Sequence, residues 1–122
     1  MAKRILVIED EKEIAGLIRE RLIDSGFEVD VTFDGYQGVA FAHSRSPDLI
    51  VMDYMLPAGD GLSVLNKLQT SIKTRYIPVV VLTGAGNETI KKKLLEKGVK
   101  AYMQKPYDGE ALVSTINKIL AK

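Results

Sequence analysis

Short apolar runs alternate with stretches of helical period along the whole chain, and no feature constrains its fold more. Ile5-Leu6-Val7-Ile8, Phe27 to Thr32, Leu49-Ile50-Val51-Met52, Val79-Val80-Val81-Leu82 and Tyr102-Met103-Gln104 each have strand length. Between and after them, apolar residues recur every three or four positions, so the pattern predicts five strands and five helices in alternation. Such an alternation defines a parallel sheet with helices on both faces, an α/β three-layer sandwich.

The first helix is expected from Glu11 or Lys12, with Ile14, Leu17, Ile18 and Leu22 on its inner face and Gly26 as its stop. A second runs from Gly35 to His43 with Val39 and Ala42 inward, and Gly38 within it costs up to about 1 kcal/mol relative to Ala. Pro47 closes that connection. The third helix carries Leu62, Leu65 and Leu68, with Asp60 as its N-cap. The fourth, capped by Asn87, carries Ile90, Leu94 and Leu95 and ends at Gly98; the fifth buries Leu112, Ile116, Ile119 and Leu120.

At 122 residues the chain is read as one domain over 1–122, with 46% hydrophobic and 27% charged residues, which excludes disorder. Seventeen basic against 16 acidic residues leave a formal charge of +1, so no bulk field draws it to nucleic acid or an anionic membrane. The absence of cysteine removes disulfides, thiolate metal sites and thiol catalysis. No run reaches signal-peptide or membrane-span length, and a cytoplasmic location is the expectation.

In an open doubly wound sheet, ligands bind outside the C-terminal strand ends, where strand order reverses. Every conspicuous polar residue falls at such an end. Glu9-Asp10-Glu11 follow the first strand, Asp53 the third, Thr83 the fourth and Lys105 the fifth. Right-handed crossovers allow the order 2-1-3-4-5, which sets the first and third strands side by side and gathers their carboxylates into a pocket that calls for a cation. Glu11 is read as an acid favoured at a helix N-terminus. His43 has no activating neighbour in sequence and is read as a surface residue. Lys91-Lys92-Lys93, with Lys97 and Lys100, make the fourth helix region basic, with Glu88 and Glu96 at compensating spacing.

These residues closely resemble the receiver domain of two-component response regulators. The resemblance rests on Ile5 to Glu11, Pro47 to Asp53, Leu56-Pro57 with Asp60-Gly61, Pro78 to Thr83, and Lys105-Pro106-Tyr107, in order and at the right spacing. It implies a flavodoxin-like (βα)5 fold of the single-domain, chemotaxis-regulator-like kind. It further implies that Asp53 accepts a phosphoryl group from a sensor histidine kinase or histidine phosphotransfer protein. By the same resemblance, Glu9, Asp10, Asp53 and the backbone carbonyl of Met55 hold Mg²⁺ or Mn²⁺. Lys105 and Thr83 then engage phosphoryl oxygens, with the Gly84 N–H. Tyr102 matches the family's switch aromatic, coupled to Thr83, and the face made by the fourth helix, fifth strand and fifth helix would meet a downstream protein target.

Such a domain catalyses its own phosphorylation and dephosphorylation without being a metabolic enzyme. Glu9 stands where an aspartate is commoner in the family. Lys100 and Ala101 stand where many DNA-binding relatives carry acids of a charged dimer interface, so a monomer is expected, with dimerisation on phosphorylation left open. Met55 and Ala85 have side chains that cannot orient water, which predicts slow loss of the phosphoryl group. An alternative keeps the fold as a phosphorylation-independent docking module. A flavodoxin would need a phosphate-cradling loop where Glu9-Asp10-Glu11 stand, and a haloacid-dehalogenase-type phosphatase would need an acid at Met55.

Overall fold

A computed structural model describes residues 2–55, 61–84, 88–105 and 108–121. In chain order the elements are β1 (Arg4–Ile8), α1 (Lys12–Asp24), β2 (Glu28–Thr32), α2 (Gly35–Arg45), β3 (Leu49–Asp53), α3 (Gly61–Gln69), β4 (Val79–Thr83), α4 (Glu88–Glu96), β5 (Ala101–Gln104) and α5 (Gly109–Leu120). The strands form one parallel sheet, as the alternation predicted, in the order β2-β1-β3-β4-β5 that right-handed crossovers allow. The expected N-caps Asp60 and Asn87 lie outside the described residues.

Side chains alternate between the two faces of a strand, and the two cores follow that parity. Leu6, Ile8, Ile50, Met52 and Val81 pack with Val64, Leu65, Leu68 and Leu94 on the side of α2, α3 and α4. Ile5, Val7, Leu49, Val51, Val80 and Leu82 pack with Ile18, Leu22, Leu112 and Ile116 on the side of α1 and α5. β3 and β4 are buried along their full length, as strands covered on both faces must be.

Two leucines depart from the sequence reading. Leu17 is 66% exposed, because the inner line of α1 runs through Ala15, Ile18 and Leu22 and Leu17 sits one position off it. Leu95 is likewise 43% exposed while Leu94 faces the core. α2 continues past His43 to Arg45 and is closed by Ser46 in the left-handed region. The glycine within α2 has a packing reason: a Cβ on Gly38 would lie 2.4 Å from Ile8 Cδ1 and 2.9 Å from Ile8 Cγ1. α1 and α4 are followed by Gly26 and Gly98 at φ 96° and 95°, values that favour a residue without a Cβ. Among the described residues, no helix is long and apolar enough to cross a membrane.

Candidate functional site

Register brings the acids together. Ile8 pairs with Met52, so Glu9 and Asp53 leave adjacent strands at the same level. Asp53 in turn pairs with Leu82, and Thr83 pairs with Gln104, one residue before Lys105. Backbone bonds carry the pairing past the strand ends: Glu9 N–H donates to Thr32 O at 3.0 Å, Tyr54 N–H to Leu82 O at 3.0 Å, and Lys105 N–H to Thr83 O at 2.8 Å.

Parity then selects which side chains meet. Glu9, Asp53 and Lys105 continue the alternation of Val7, Val51 and Met103, which belong to the α1 and α5 face. Lys105 Nζ accordingly lies 3.0 Å from Glu9 Oε1 and 2.9 Å from Asp53 Oδ2, one ammonium bridging two carboxylates. Thr83 and Tyr102 continue the other parity, that of Val81 and the α4 face. Thr83 is fully buried, and Tyr102 is half-buried with a hydroxyl that is itself buried and has no hydrogen-bond partner among the described residues. Burial also pushes the Tyr102 phenol above its ordinary value, helped by the nearby charges of Glu88 and Tyr54.

The remaining oxygens of the acids are directed by main-chain N–H groups. Met55 N–H donates to Asp53 Oδ1 at 3.0 Å, and Glu11 N–H to Glu9 Oε2 at 3.2 Å. The Met55 side chain points away into solvent, 57% exposed. Burial pushes the Glu9 carboxyl up to about 7; the Lys105 ammonium and the Glu11 N–H pull it back, while the Asp53 charge adds to the rise. Burial works against the Lys105 charge, but hydrogen bonds to Asp53 and Glu9 outweigh it and hold the ammonium above its ordinary value.

Glu9, Asp10 and Asp53 each offer a carboxylate oxygen, and these three atoms lie within 4.8 Å of one another. Glu9 and Asp53 are buried and Asp10 is exposed, so the group is walled by the sheet and open at its rim. Hard oxygen donors of this kind suit Mg²⁺ or Mn²⁺.

Gly61 supports the site through packing that its place in the sequence does not state. Its N–H donates to Tyr54 O at 2.7 Å, and a Cβ there would lie 2.9 Å from Tyr54 Cα, so the start of α3 is packed directly on the backbone leaving Asp53. In the sequence, Gly61 stands out only as part of Asp60-Gly61 within the receiver-domain resemblance. At Gly84 a Cβ would meet no atom of the described residues within 4 Å. Leu56, Pro57, Asp60, Ala85, Pro106 and Tyr107 lie outside the described residues.

The chain belongs to the response regulator receiver domain family, whose model matches residues 5–117. It is 37% identical over 122 residues to the phosphate regulon transcriptional regulatory protein PhoB of Escherichia coli K12, covering 100% of this chain and 53% of that protein. It is 35% identical over 119 residues to the DNA-binding dual master transcriptional regulator RpaA of Synechocystis, covering 98% of this chain and 49% of that one. The chain thus spans about half the length of these curated relatives. Among solved structures, a CheY-like receiver domain protein of Methanospirillum hungatei superposes with a TM-score of 0.93 at 25% identity, over 99% of this chain and 95% of that one. The receiver domain of a Pseudomonas aeruginosa PAO1 sensor histidine kinase, solved with magnesium in its active site cleft, gives 0.91 at 26% identity over 100% of both chains.

Proposed function

We propose that Asp53 accepts a phosphoryl group from a phosphohistidine, carried by a sensor histidine kinase or a histidine phosphotransfer protein, with a divalent cation bound beside it. The observation that carries this reading is the Lys105 ammonium bridging Glu9 and Asp53 in a pocket that also brings Asp10 within reach. An Asp53 carboxylate oxygen forms the new P–O bond as the P–N bond to the donor imidazole breaks, and the donor nitrogen keeps the electron pair. Because nucleophile and phosphoryl oxygens are both negative, rate comes from positioning and charge neutralisation.

Glu9, Asp10, Asp53 and the Met55 carbonyl would hold Mg²⁺ or Mn²⁺, which supplies charge neutralisation at the phosphoryl oxygens when bound. The Met55 N–H fixes Asp53 Oδ1 and so orients the carboxylate. Lys105, already 2.9 Å from Asp53 Oδ2, transfers its hydrogen bond to a phosphoryl oxygen, and the Thr83 hydroxyl and Gly84 N–H donate to the others. Thr83 and Tyr102 share the α4 face of the sheet, and the Tyr102 hydroxyl has a hydrogen bond to gain by moving. Movement of this pair alters the surface of α4, β5 and α5, where a downstream protein binds. The exposed Met55 thioether cannot orient water, so the aspartyl phosphate persists for minutes or longer.

The test is the intact mass after incubation with acetyl phosphate, with and without Mg²⁺, for wild type and Asp53→Asn. A gain of one phosphoryl group that needs Mg²⁺ and Asp53 is expected. No gain in wild type, together with failure to bind beryllofluoride, would leave a docking module on the same fold.

A further inference from the structure

The end of the sheet opposite Asp53 is divided by charge. On the β2, β1 and β3 side it carries Glu28, Asp30 and Asp48, with Arg4 bonded to all three. On the β4 and β5 side a groove of about 520 Å³ is lined by Tyr76, Pro78, Lys100, Lys118 and Ile119, with no acid among them. Lys100 enters β5 beside the start of β4, its N–H donating to Val79 O at 2.9 Å, and Lys118 lies in the last turn of α5. Both lysines are exposed, and neither has a salt-bridge partner among the described residues.

Between the two ammonium groups the groove presents apolar surface. Tyr76 is 80% exposed, yet its ring is held: the Arg75 guanidinium carbon lies 5.0 Å from the ring centroid, and Nη2 donates to the hydroxyl at 2.9 Å. An aromatic ring fixed in water, with Pro78 and Ile119 beside it, offers an apolar contact at low entropic cost. A free phosphate ligand is not favoured. Such ligands are gathered by convergent backbone N–H groups or an unengaged guanidinium fork, whereas Lys100 and Lys118 are separate point charges and Arg75 is engaged with Tyr76.

We propose that this groove docks an acidic peptide segment of a partner, with an apolar side chain of the segment set against Tyr76, Pro78 and Ile119 and carboxylates on Lys100 and Lys118. Docking here does not depend on phosphorylation, because the groove opens at the start of β4 and β5, roughly 15 Å of strand away from Thr83 and Lys105 at their ends. The role is therefore tethering at the strand-start end of the sheet, away from the Asp53 pocket.

The experiment is a two-dimensional amide NMR titration of the whole chain at low salt with a short peptide of alternating glutamate and leucine, with and without beryllofluoride. Saturable shifts are expected at Tyr76, Lys100, Lys118 and Ile119, equal with and without beryllofluoride. Affinity should fall roughly tenfold or more in Lys100→Glu/Lys118→Glu, a double change at exposed sites whose unperturbed spectrum elsewhere reports an intact fold. Tyr76→Ala should weaken binding while leaving its salt dependence unchanged, because the charges remain. Shifts centred on Lys91 to Lys93, no saturable binding, an unchanged affinity in the double variant, or binding only with beryllofluoride would each overturn the proposal. So would sedimentation showing that wild type self-associates through these lysines, since the occupant would then be a second copy.

Discussion

Two clusters in this molecule share one design, a single cation between two carboxylates, and differ in where the sheet puts them. At the N-terminal strand ends, Arg4 Nη1 lies 2.7 Å from Asp30 Oδ2 and Nη2 lies 3.5 Å from Glu28 Oε1, with side chains 30%, 29% and 56% exposed. At the C-terminal ends, Lys105 Nζ lies 3.0 Å and 2.9 Å from Glu9 and Asp53, whose side chains are 2% and 9% exposed. Water screens the first cluster, so it ties β1 to β2 and contributes little else. In the second, one ammonium serves two buried acids and does not fully compensate their lost hydration, which is why the Glu9 carboxyl rises to about 7. Similar contact distances therefore give a surface clasp in one place and, in the other, a pocket with unmet demand for positive charge.

The largest expected effect separates the clusters by chemistry. Asp53→Asn should lower phosphoryl uptake from acetyl phosphate roughly a hundredfold or more, whereas Asp30→Asn should change it less than about twofold, both read by intact mass against time. Equal losses would erase the distinction drawn here.

Removing the shared cation tests burial. Lys105→Met leaves Glu9 and Asp53 facing each other and should cost about 1–3 kcal/mol in urea unfolding without divalent cations, less than for a fully buried pair because the Lys105 side chain is 20% exposed. Added Mg²⁺ should restore part of that loss, since it brings back positive charge.

The pH dependence follows from the raised Glu9 value. In metal-free protein, Glu9 is protonated more readily folded than unfolded, so its contribution to stability is fully present below its ordinary value of 4.5 and is lost as pH rises through about 7. Metal binding needs the deprotonated form, so Mg²⁺ affinity should weaken roughly tenfold between pH 8 and pH 6. Calorimetric titration of wild type and Glu9→Gln reads this directly; a variant with the same slope would assign the proton elsewhere. Arg4 stays charged throughout that window and adds no such slope.

The smallest effect belongs to the exposed clasp. Arg4→Met should lower Tm less than Lys105→Met does, and the difference from wild type should shrink in high salt. A loss that persists in salt would mean that Arg4 acts through its packed stem instead of its charge.

Much of this is legible in the amino-acid sequence. Apolar runs of four residues stop directly before Glu9, Asp53 and Thr83, which marks these three as C-terminal edge residues, whereas Lys105 follows Gln104 at the end of a shorter run. The periods of strand and helix differ, and that local physics fixes element type and order without reference to neighbours. Where an element's inner line is ambiguous, local pattern fails. Leu17 and Leu95 each sit beside a residue that the packing prefers, and both face water.

The sequence by itself therefore determined the alternation, the doubly wound class and the set of polar residues at one edge of the sheet, because each is encoded within a few consecutive positions. Only the tertiary structure decided which of them meet. Register between strands far apart in the chain places Glu9, Asp53 and Lys105 on the α1 and α5 side and Thr83 with Tyr102 on the α4 side. The same assembly sets position 61 against the Tyr54 backbone, too close for a Cβ, and position 38 against the Ile8 side chain, which a Cβ would force to shift. It also buries Glu9 to 1% exposure. Burial and close approach are properties of surfaces brought together from distant positions, so no local stretch of sequence states them.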